Sequence, residues 1–288
     1  MELLQLYYFQ KVANNQHISR TAKELNISQP SLSQAIRKLE IEIGTDLFDR
    51  TGKSITLNQA GHIYLKYVNE IFTSLKNASL EINNLINKEE KVVSIAILAG
   101  STLLPLYLKE IQNMDEEINF NITQDIPSND DVDFIINASF IKPNSPYKTI
   151  LLEEHMVAAI PSKNPLANKN ISLLDLENEK LISLTKDKNL YQILEYYFNI
   201  YNFHPRNEIT IDSPHIMREL LKLNAGIAII PKSSWQDVNL NNINLVEFTE
   251  TPMKRYIFLE ENHKKYKSQT ILKCKEIIIN LFNYYFND

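Results

Sequence analysis

Apolar positions near the N-terminus recur at helical spacing. Leu4, Leu6, Phe9, Val12 and Ala13 mark a first helix, and Ala22 and Leu25 mark a second from about Ser19 to Leu25. Asn26 and Ile27 form the turn that follows. A third helix is predicted from Ser28 onward, where the serine hydroxyl can cap the first-turn amides. Pro30 suits that first turn, because its missing N–H has no helical partner to lose. Leu32, Ala35, Ile36, Leu39 and Ile43 fall at i, i+3, i+4, i+7 and i+11, one apolar stripe. Gly44 then ends the helix as a left-handed cap. The stretch Leu47 to Leu57 reads as a β-hairpin turned at Thr51-Gly52, with Arg50 and Lys53 at its tip.

A longer helical pattern runs from Asn58 to about Asn87. Tyr64, Val68, Ile71, Leu75, Ala78, Ile82 and Leu85 alternate by four and three, an a/d seam suited to pairing with a second copy of the chain. The alternative is an amphipathic helix packed on its own domain. Lys88-Glu89-Glu90-Lys91 is a charged break. Beyond it, strands (Val92 to Leu98, Ile118 to Gln124, Val132 to Ile136, Met156 to Ile160, Glu208 to Ile211, Ile227 to Ile230, Leu245 to Phe248, Tyr256 to Leu259) are interspersed with helices (Leu103 to Met114, Tyr191 to Tyr201, a helix after Ser213-Pro214, Ile271 to Phe286). That order predicts an α/β fold class with largely parallel sheets.

Composition narrows the chemistry. The chain has 288 residues, 44% hydrophobic and 23% charged, with a net charge of -5, so no global basic field marks a partner. One cysteine, Cys274, excludes internal disulfides and multi-cysteine zinc sites and fits a reducing compartment. No apolar run reaches the ~18–20 residues of a membrane span, and Met1-Glu2-Leu3 opens no signal-peptide pattern. A cytoplasmic location with no membrane partner is expected. Five glycines, none arranged as GxGxxG or GxxxxGK[ST], argue against the common nucleotide loops.

Catalytic signals are weak. His17, His62, His155, His204, His215 and His263 are scattered, without HExxH or metal-ligand spacing. SxxK at Ser139, Ser145 and Ser183 is what chance supplies in a lysine-rich chain, and GxSxG is absent. Cys274 reads as a structural thiol. The acidic pairs Glu153-Glu154 and Asp130-Asp131 read as solvated charge at strand or turn edges. No catalytic residue, cofactor or metal site is expected.

The polar face of the third helix carries more information. Gln29, Ser33, Gln34 and Arg37 are side chains able to read base edges in a major groove, and two helices before such a helix suggest helix-turn-helix. On this pattern alone a solvated face on a small bundle is as good a reading. The hairpin favours double-stranded DNA, since a wing beside a recognition helix brings Arg50 and Lys53 to phosphates. Residues 1–60 hold seven Lys+Arg and six Asp+Glu, so the basic surface is local.

The run Ile18 to Gly61, with its "ISQPSLSQAIRKLE" helix and "IGTDLFDRTGKSITLNQAG" wing, resembles the winged helix-turn-helix of LysR-type transcriptional regulators. The likeness implies DNA-binding roles for Ser28, Gln29, Pro30, Ser31, Ser33, Gln34, Arg37, Arg50 and Lys53. Where this chain has Gln34 the family usually has arginine, and glutamine favours adenine over guanine. The resemblance extends more loosely through "ENEKLISL" and "LLKLNAGIAIIPKS" to a two-subdomain α/β effector domain like a periplasmic binding protein. It implies a DNA-binding domain at 1–57, a linker and dimerisation helix at 58–90, and an effector domain at 91–288. Within that domain, subdomain I spans about 92–160 and 262–288, subdomain II about 161–261, with crossings near Pro161 and Glu261. A helix the family places between Gln124 and Val132 has no room here.

In the family a small-molecule effector sits between the subdomains, at helix N-termini that attract anions. Gly100, Ser101, Thr102, Asn137, Ser139, Ser213, Pro214 and His215 are the candidates, and a carboxylate-bearing ligand is the chemistry such termini suit. Ordinary capping is the competing role for each, above all for Ser213. A homodimer, extended in the family to a homotetramer, completes the expected regulator. Two other classes stay open: a metabolite sensor with a vestigial DNA-binding domain, and an enzyme on the same scaffold.

Overall fold

A computed structural model describes every residue except 52–53, 87–90, 115, 126–131, 236–241, 250–251 and 287–288, and leaves aside the side chains of Arg50, Thr51 and Ser54. The chain divides into two compact units. The first comprises Met1–Glu89 with Lys264–Tyr266, the second Glu90–His263 with Lys267–Asp288.

In the first unit, α1 (Leu3–Asn15), α2 (Ile18–Glu24) and α3 (Gln29–Ile43) precede β1 (Phe48–Thr51), β2 (Ser54–Leu57) and α4 (Gln59–Leu85). Phe9, Val12, Leu32, Ile36 and Leu39 are fully buried in one core; each such side chain contributes about 1.5–3 kcal/mol by leaving water. β1 and β2 pair antiparallel, Phe48 opposite Leu57, forming the expected hairpin. A buried carboxylate fixes the hairpin to the helices: Glu40 Oε1 accepts a hydrogen bond from the Leu47 amide at 2.9 Å. Gly61 meets the residue just before β1 so closely that a Cβ there would lie 2.0 Å from the Leu47 carbonyl oxygen. Only glycine lets the first turn of α4 approach.

α4 has two apolar faces. Val68 is buried in the unit's own core, where Tyr64, Leu65 and Phe72 also pack. Ile63, Tyr67, Ile71, Leu75, Ile82 and Leu85 are exposed. The expected seam is therefore split: Tyr64 and Val68 are bound to the helix's own domain, and the exposed stripe begins at Ile63 and Tyr67 instead.

In the second unit, β3 (Val92–Ile97) leads into a 3-10 turn at Ser101–Leu103, α5 (Leu104–Met114), β4 (Asn119–Thr123), β5 (Phe134–Ser139) and the long β6 (Lys148–Pro161). A further short turn at Leu173–Leu176 precedes β7 (Lys180–Leu184), α6 (Asn189–Ile200), β8 (Asn207–Ile211), α7 (Pro214–Lys222) and β9 (Ala228–Pro231). β10 (Ile243–Val246), β11 (Lys254–Glu261) and α8 (Gln269–Phe286) complete it. The main sheet runs β10-β6-β11-β5-β3-β4, with β9 also on β6, and β7 pairs with β8.

Two expectations need correction. The main sheet is mixed rather than largely parallel: β3–β4 and β3–β5 are parallel, but β5–β11, β11–β6, β6–β9 and β6–β10 are antiparallel, while the separate β7–β8 pair is parallel. The cause is β6 and β11, neighbouring strands that run in opposite directions. The crossings also fall earlier than Pro161 and Glu261. Along β6, Lys148 to His155 pair with β11, whereas Met156 to Pro161 pair with β9 or β10. All of β11 from Lys254 pairs with β6 or β5, so the return crossing precedes Lys254. Two separate cores agree: Met156 and Met253 lie in one, Leu152 and Ile257 in the other. The gap expected between Gln124 and Val132 lies mostly outside the described residues.

Candidate DNA-reading surface and ligand cleft

The candidate reading surface is built on α3. Ser28 caps it: its Oγ accepts from the Ser31 amide at 3.2 Å and shares a hydrogen bond with Ser31 Oγ at 2.7 Å. Gln29 Oε1 accepts from Ser19 Oγ of α2 at 2.9 Å, which links the two helices on the outside. Gln29, Ser33 and Arg37 stand one turn apart, with Pro30 and Gln34 in the adjoining row. Ser28, Gln29, Pro30, Ser31, Gln34 and Arg37 are exposed and Ser33 is half-buried. The opposite stripe, with Leu32, Ile36 and Leu39 at its centre, holds the helix on its core. The first turn carries no acidic residue, which leaves the helix N-terminus favourable to phosphate. Arg50 is on β1, its side chain outside the described set, as is Lys53.

The second unit contains a cleft of about 90 Å³, reached by five separate segments. Leu98 to Thr102 contribute one wall after β3. Gly100 adopts a left-handed φ of 68° there; a side chain would have space but not the backbone conformation. Leu184, and Lys188 to Leu190 at the start of α6, supply a second wall, and Pro214 and Arg218 of α7 a third. Ser234, Trp235 and Arg255 close the set.

Gly100, Ser101, Thr102 and Pro214 are thus brought together. Asn137, Ser139, Ser213 and His215 are not in the lining. Three of them are engaged locally. Ser139 Oγ accepts from the Ile141 amide at 3.1 Å, and Ser213 Oγ caps α7 through the Ile216 amide at 3.5 Å. Asn137 Oδ1 accepts from the Ala138 amide at 2.8 Å and from Asn189 Nδ2 at 3.0 Å, so Asn137 orients a residue that does line the cleft. Thr102 Oγ1 donates to the Ser234 carbonyl at 2.9 Å, linking two walls.

A buried ion pair underlies the cleft. Arg255 Nε donates to Glu154 Oε1 at 2.8 Å, with side-chain exposures of 5% and 0%. The remaining carboxylate valence is filled by the Ser233 and Ser234 amides on Oε2, at 3.1 and 2.8 Å, and by Ser234 Oγ on Oε1 at 3.0 Å. Glu154 and Arg255 are cross-strand partners of β6 and β11, beside the point where β6 changes neighbours. Glu154 is therefore not solvated charge. Glu153, one pleat away, does face water and pairs with Lys254 at 2.6 Å; Asp130-Asp131 lies outside the described residues. Tyr197 Oη pins the other crossing, accepting from the Lys254 amide at 2.8 Å and donating to its carbonyl at 2.7 Å.

Arg218 stacks on Trp235, its guanidinium carbon 4.5 Å from the ring centroid. Its Nε is buried with no hydrogen-bond partner among the described residues, and burial pulls its pKa below the ordinary arginine value. A guanidinium nevertheless stays charged at neutral pH. Arg218, Trp235, Lys188, Asn189, Ser234 and Arg255 are absent from the expected site. One signal is available in the sequence: Arg218 lies four residues after Pro214 and shares its helix face.

Comparison with known proteins agrees with both halves. Residues 3–62 match the model of the bacterial regulatory helix-turn-helix protein, lysR family, and residues 88–280 match the LysR substrate binding domain. The HTH-type transcriptional regulator YybE of Bacillus subtilis (strain 168) is 34% identical over 98% of this chain and 100% of its own. Among solved structures, a full-length OxyR variant from Pseudomonas aeruginosa superimposes with a TM-score of 0.65 at 17% identity, covering 98% of this chain and 95% of that one. Full-length CbnR complexed with its target DNA gives a TM-score of 0.60 at 19% identity, covering 98% and 100%. The chain belongs to the LysR family of bacterial transcriptional regulators. It is a regulator with a DNA-binding helix-turn-helix domain and an effector-binding domain, not an enzyme. Among the described residues, no helix is long and apolar enough to cross a membrane.

Proposed function

We propose that this regulator reads its operator as a homodimer and responds to a small molecule held in the cleft of its second unit. Gln29, Ser33 and Gln34 specify bases. Arg50 and Lys53 hold phosphates, Arg37 extends the row of Gln29 and Ser33, and the cap residues Ser28 and Ser31 present the start of α3 to the backbone. The observation that carries the reading is the polar, exposed row on α3 opposite a fully buried stripe. The exposed stripe on α4 supports self-association, because an unpaired helix would leave six large apolar side chains in water. Gly100, Ser101, Thr102, Pro214 and Arg218 form the effector site, with Asn137 acting through Asn189.

Binding the effector closes or opens the two cores about the β6 and β11 crossings, since only a ligand that interacts differently with the two arrangements can shift their balance. The test is competition binding with selected and scrambled duplexes. Gln34→Ala should erase the preference at one base position, and Lys53→Ala should weaken all duplexes alike. Equal loss of specificity from the two variants would overturn the division of roles.

A further inference from the structure

We infer that Ser19 of α2 is a positioning residue that sets which base Gln29 reads: it holds the Gln29 carbonyl, leaves that side chain only its amide N–H groups, and so directs it to guanine rather than adenine. The inference rests on Gln29 being a base-reading residue. One hydrogen bond between two helices carries it. Ser19 Oγ donates to Gln29 Oε1 at 2.9 Å. Both side chains are exposed, and neither has another hydrogen-bond partner among the described residues. The Ser19 hydroxyl is free for this task because His17 caps α2, its Nδ1 accepting from the Arg20 amide at 3.3 Å. Gln29 is the first residue of α3, set between the Ser28 cap and Pro30.

A glutamine amide has one acceptor oxygen and two N–H donors. It reads adenine by using both ends at once, accepting from N6–H₂ and donating to N7. That pairing needs oxygen and nitrogen side by side against the base edge. At Gln29 the oxygen is turned to α2, and in a helix-turn-helix the first helix crosses the phosphate backbone while the second enters the groove. Oxygen and nitrogen diverge from one amide carbon, so the nitrogen is the end left for the bases. Donors without an acceptor match guanine, whose N7 and O6 both accept; a lysine ammonium, also a donor-only group, makes the same pairing. In the major groove thymine offers one acceptor, adenine one acceptor beside a donor, and cytosine a donor alone. Gln34 is the internal contrast. Its exposed amide has no hydrogen-bond partner among the described residues, so both ends are available and adenine is its match. Two glutamines on one helix thus read different bases, and a side chain on the neighbouring helix makes the difference.

The test is selection from a random duplex library with full-length protein, followed by competition binding. Gln29→Ala identifies the base position that Gln29 reads, as the position whose preference it relaxes. The parent should hold guanine there. Ser19→Ala frees the carbonyl, and adenine should gain about five- to tenfold on guanine at that position alone. Ser19→Thr keeps the hydroxyl and should keep guanine. Half-site spacing, the salt dependence of binding and the melting temperature should be the same in all three Ser19 proteins. An unchanged preference in Ser19→Ala, or a uniform loss of affinity for every duplex, would overturn the inference. So would any base but guanine in the parent: cytosine, for example, would mean that the amide is reversed, its nitrogen on Ser19 and its carbonyl toward the bases. The parent's preference decides even if a Ser19 variant fails to fold. A Gln29→Ala protein that relaxes no position would remove the base-reading role of Gln29 itself.

Discussion

The candidate reading surface and the candidate ligand cleft are built in opposite ways. The expected contacts on α3 lie within ten consecutive residues, Ser28 to Arg37, on a helix whose period separates an inner stripe from an outer row. The cleft draws on five segments between Leu98 and Arg255, each contributing one to five residues. In the first, the grouping of residues is a consequence of helix geometry acting on neighbours in sequence. In the second, it is a consequence of where strands change partners, and the polar groups meet only after β6 and β11 have crossed. Perturbations should follow the same division: near-additive between α3 positions that share no partner, and strongly coupled through shared partners in the cleft.

The largest expected effect attacks the surface through its multiplicity. Replacing Ile71 and Leu75 together with Asp should give monomers by sedimentation and reduce operator affinity about 10²- to 10⁴-fold, because the second half-site is no longer presented at high effective concentration. A double variant that stays dimeric at micromolar concentration would assign dimerisation to the second unit. Next comes the ion pair beneath the cleft. Glu154→Ala leaves Arg255 buried and unpaired, which costs about 3–5 kcal/mol. In urea unfolding followed by Trp235 fluorescence, that loss should appear in the second unit's transition. Operator binding by the first unit, assayed below that transition, should change little.

Smaller effects separate residues within α3. Gln34→Ala should remove about 1–3 kcal/mol of discrimination at one position. Lys53→Ala should leave discrimination intact and reduce the slope of log affinity against log salt by about 0.9. Ser28→Ala should cost about 1 kcal/mol of helix stability, because its hydroxyl caps the Ser31 amide. An unchanged melting temperature with weakened operator binding would instead make Ser28 chiefly a DNA contact.

The same contrast explains what can be read from the chain alone. The helices of the first unit, its hairpin and the cap at Ser28 follow from period, capping chemistry and turn residues, all local signals. α4 is legible as a long apolar helix but not as a two-faced one, because a seam that includes Val68 and one that includes Tyr67 differ only by which neighbour is present. In the second unit the strands are legible and their partners are not. The apolar run from Met156 to Ile160 reads the same whether it pairs with β11 or with β9, so the sequence points to a crossing at the proline that ends it. Glu154 looks like half of a surface acidic pair, since strand alternation alone does not say which of two adjacent carboxylates turns inward or that Arg255 waits across the strand. Gly100, Ser101, Thr102 and Pro214 can be placed at the cleft because they begin helical turns after strands. Arg218 and Trp235 cannot, because their meeting depends on how α7 and the segment after β9 pack together.

The central claim is that α3 of paired chains reads a specific duplex sequence, and selection from a random duplex library tests it most directly. Full-length protein should recover two related half-sites whose centres lie one helical turn, about 10–10.5 base pairs, or a multiple of it apart. Gln34→Ala protein should recover the same spacing with one base position per half-site relaxed. Recovery of no enriched sequence by the parent, or of an identical sequence by the Gln34→Ala variant, would contradict the account.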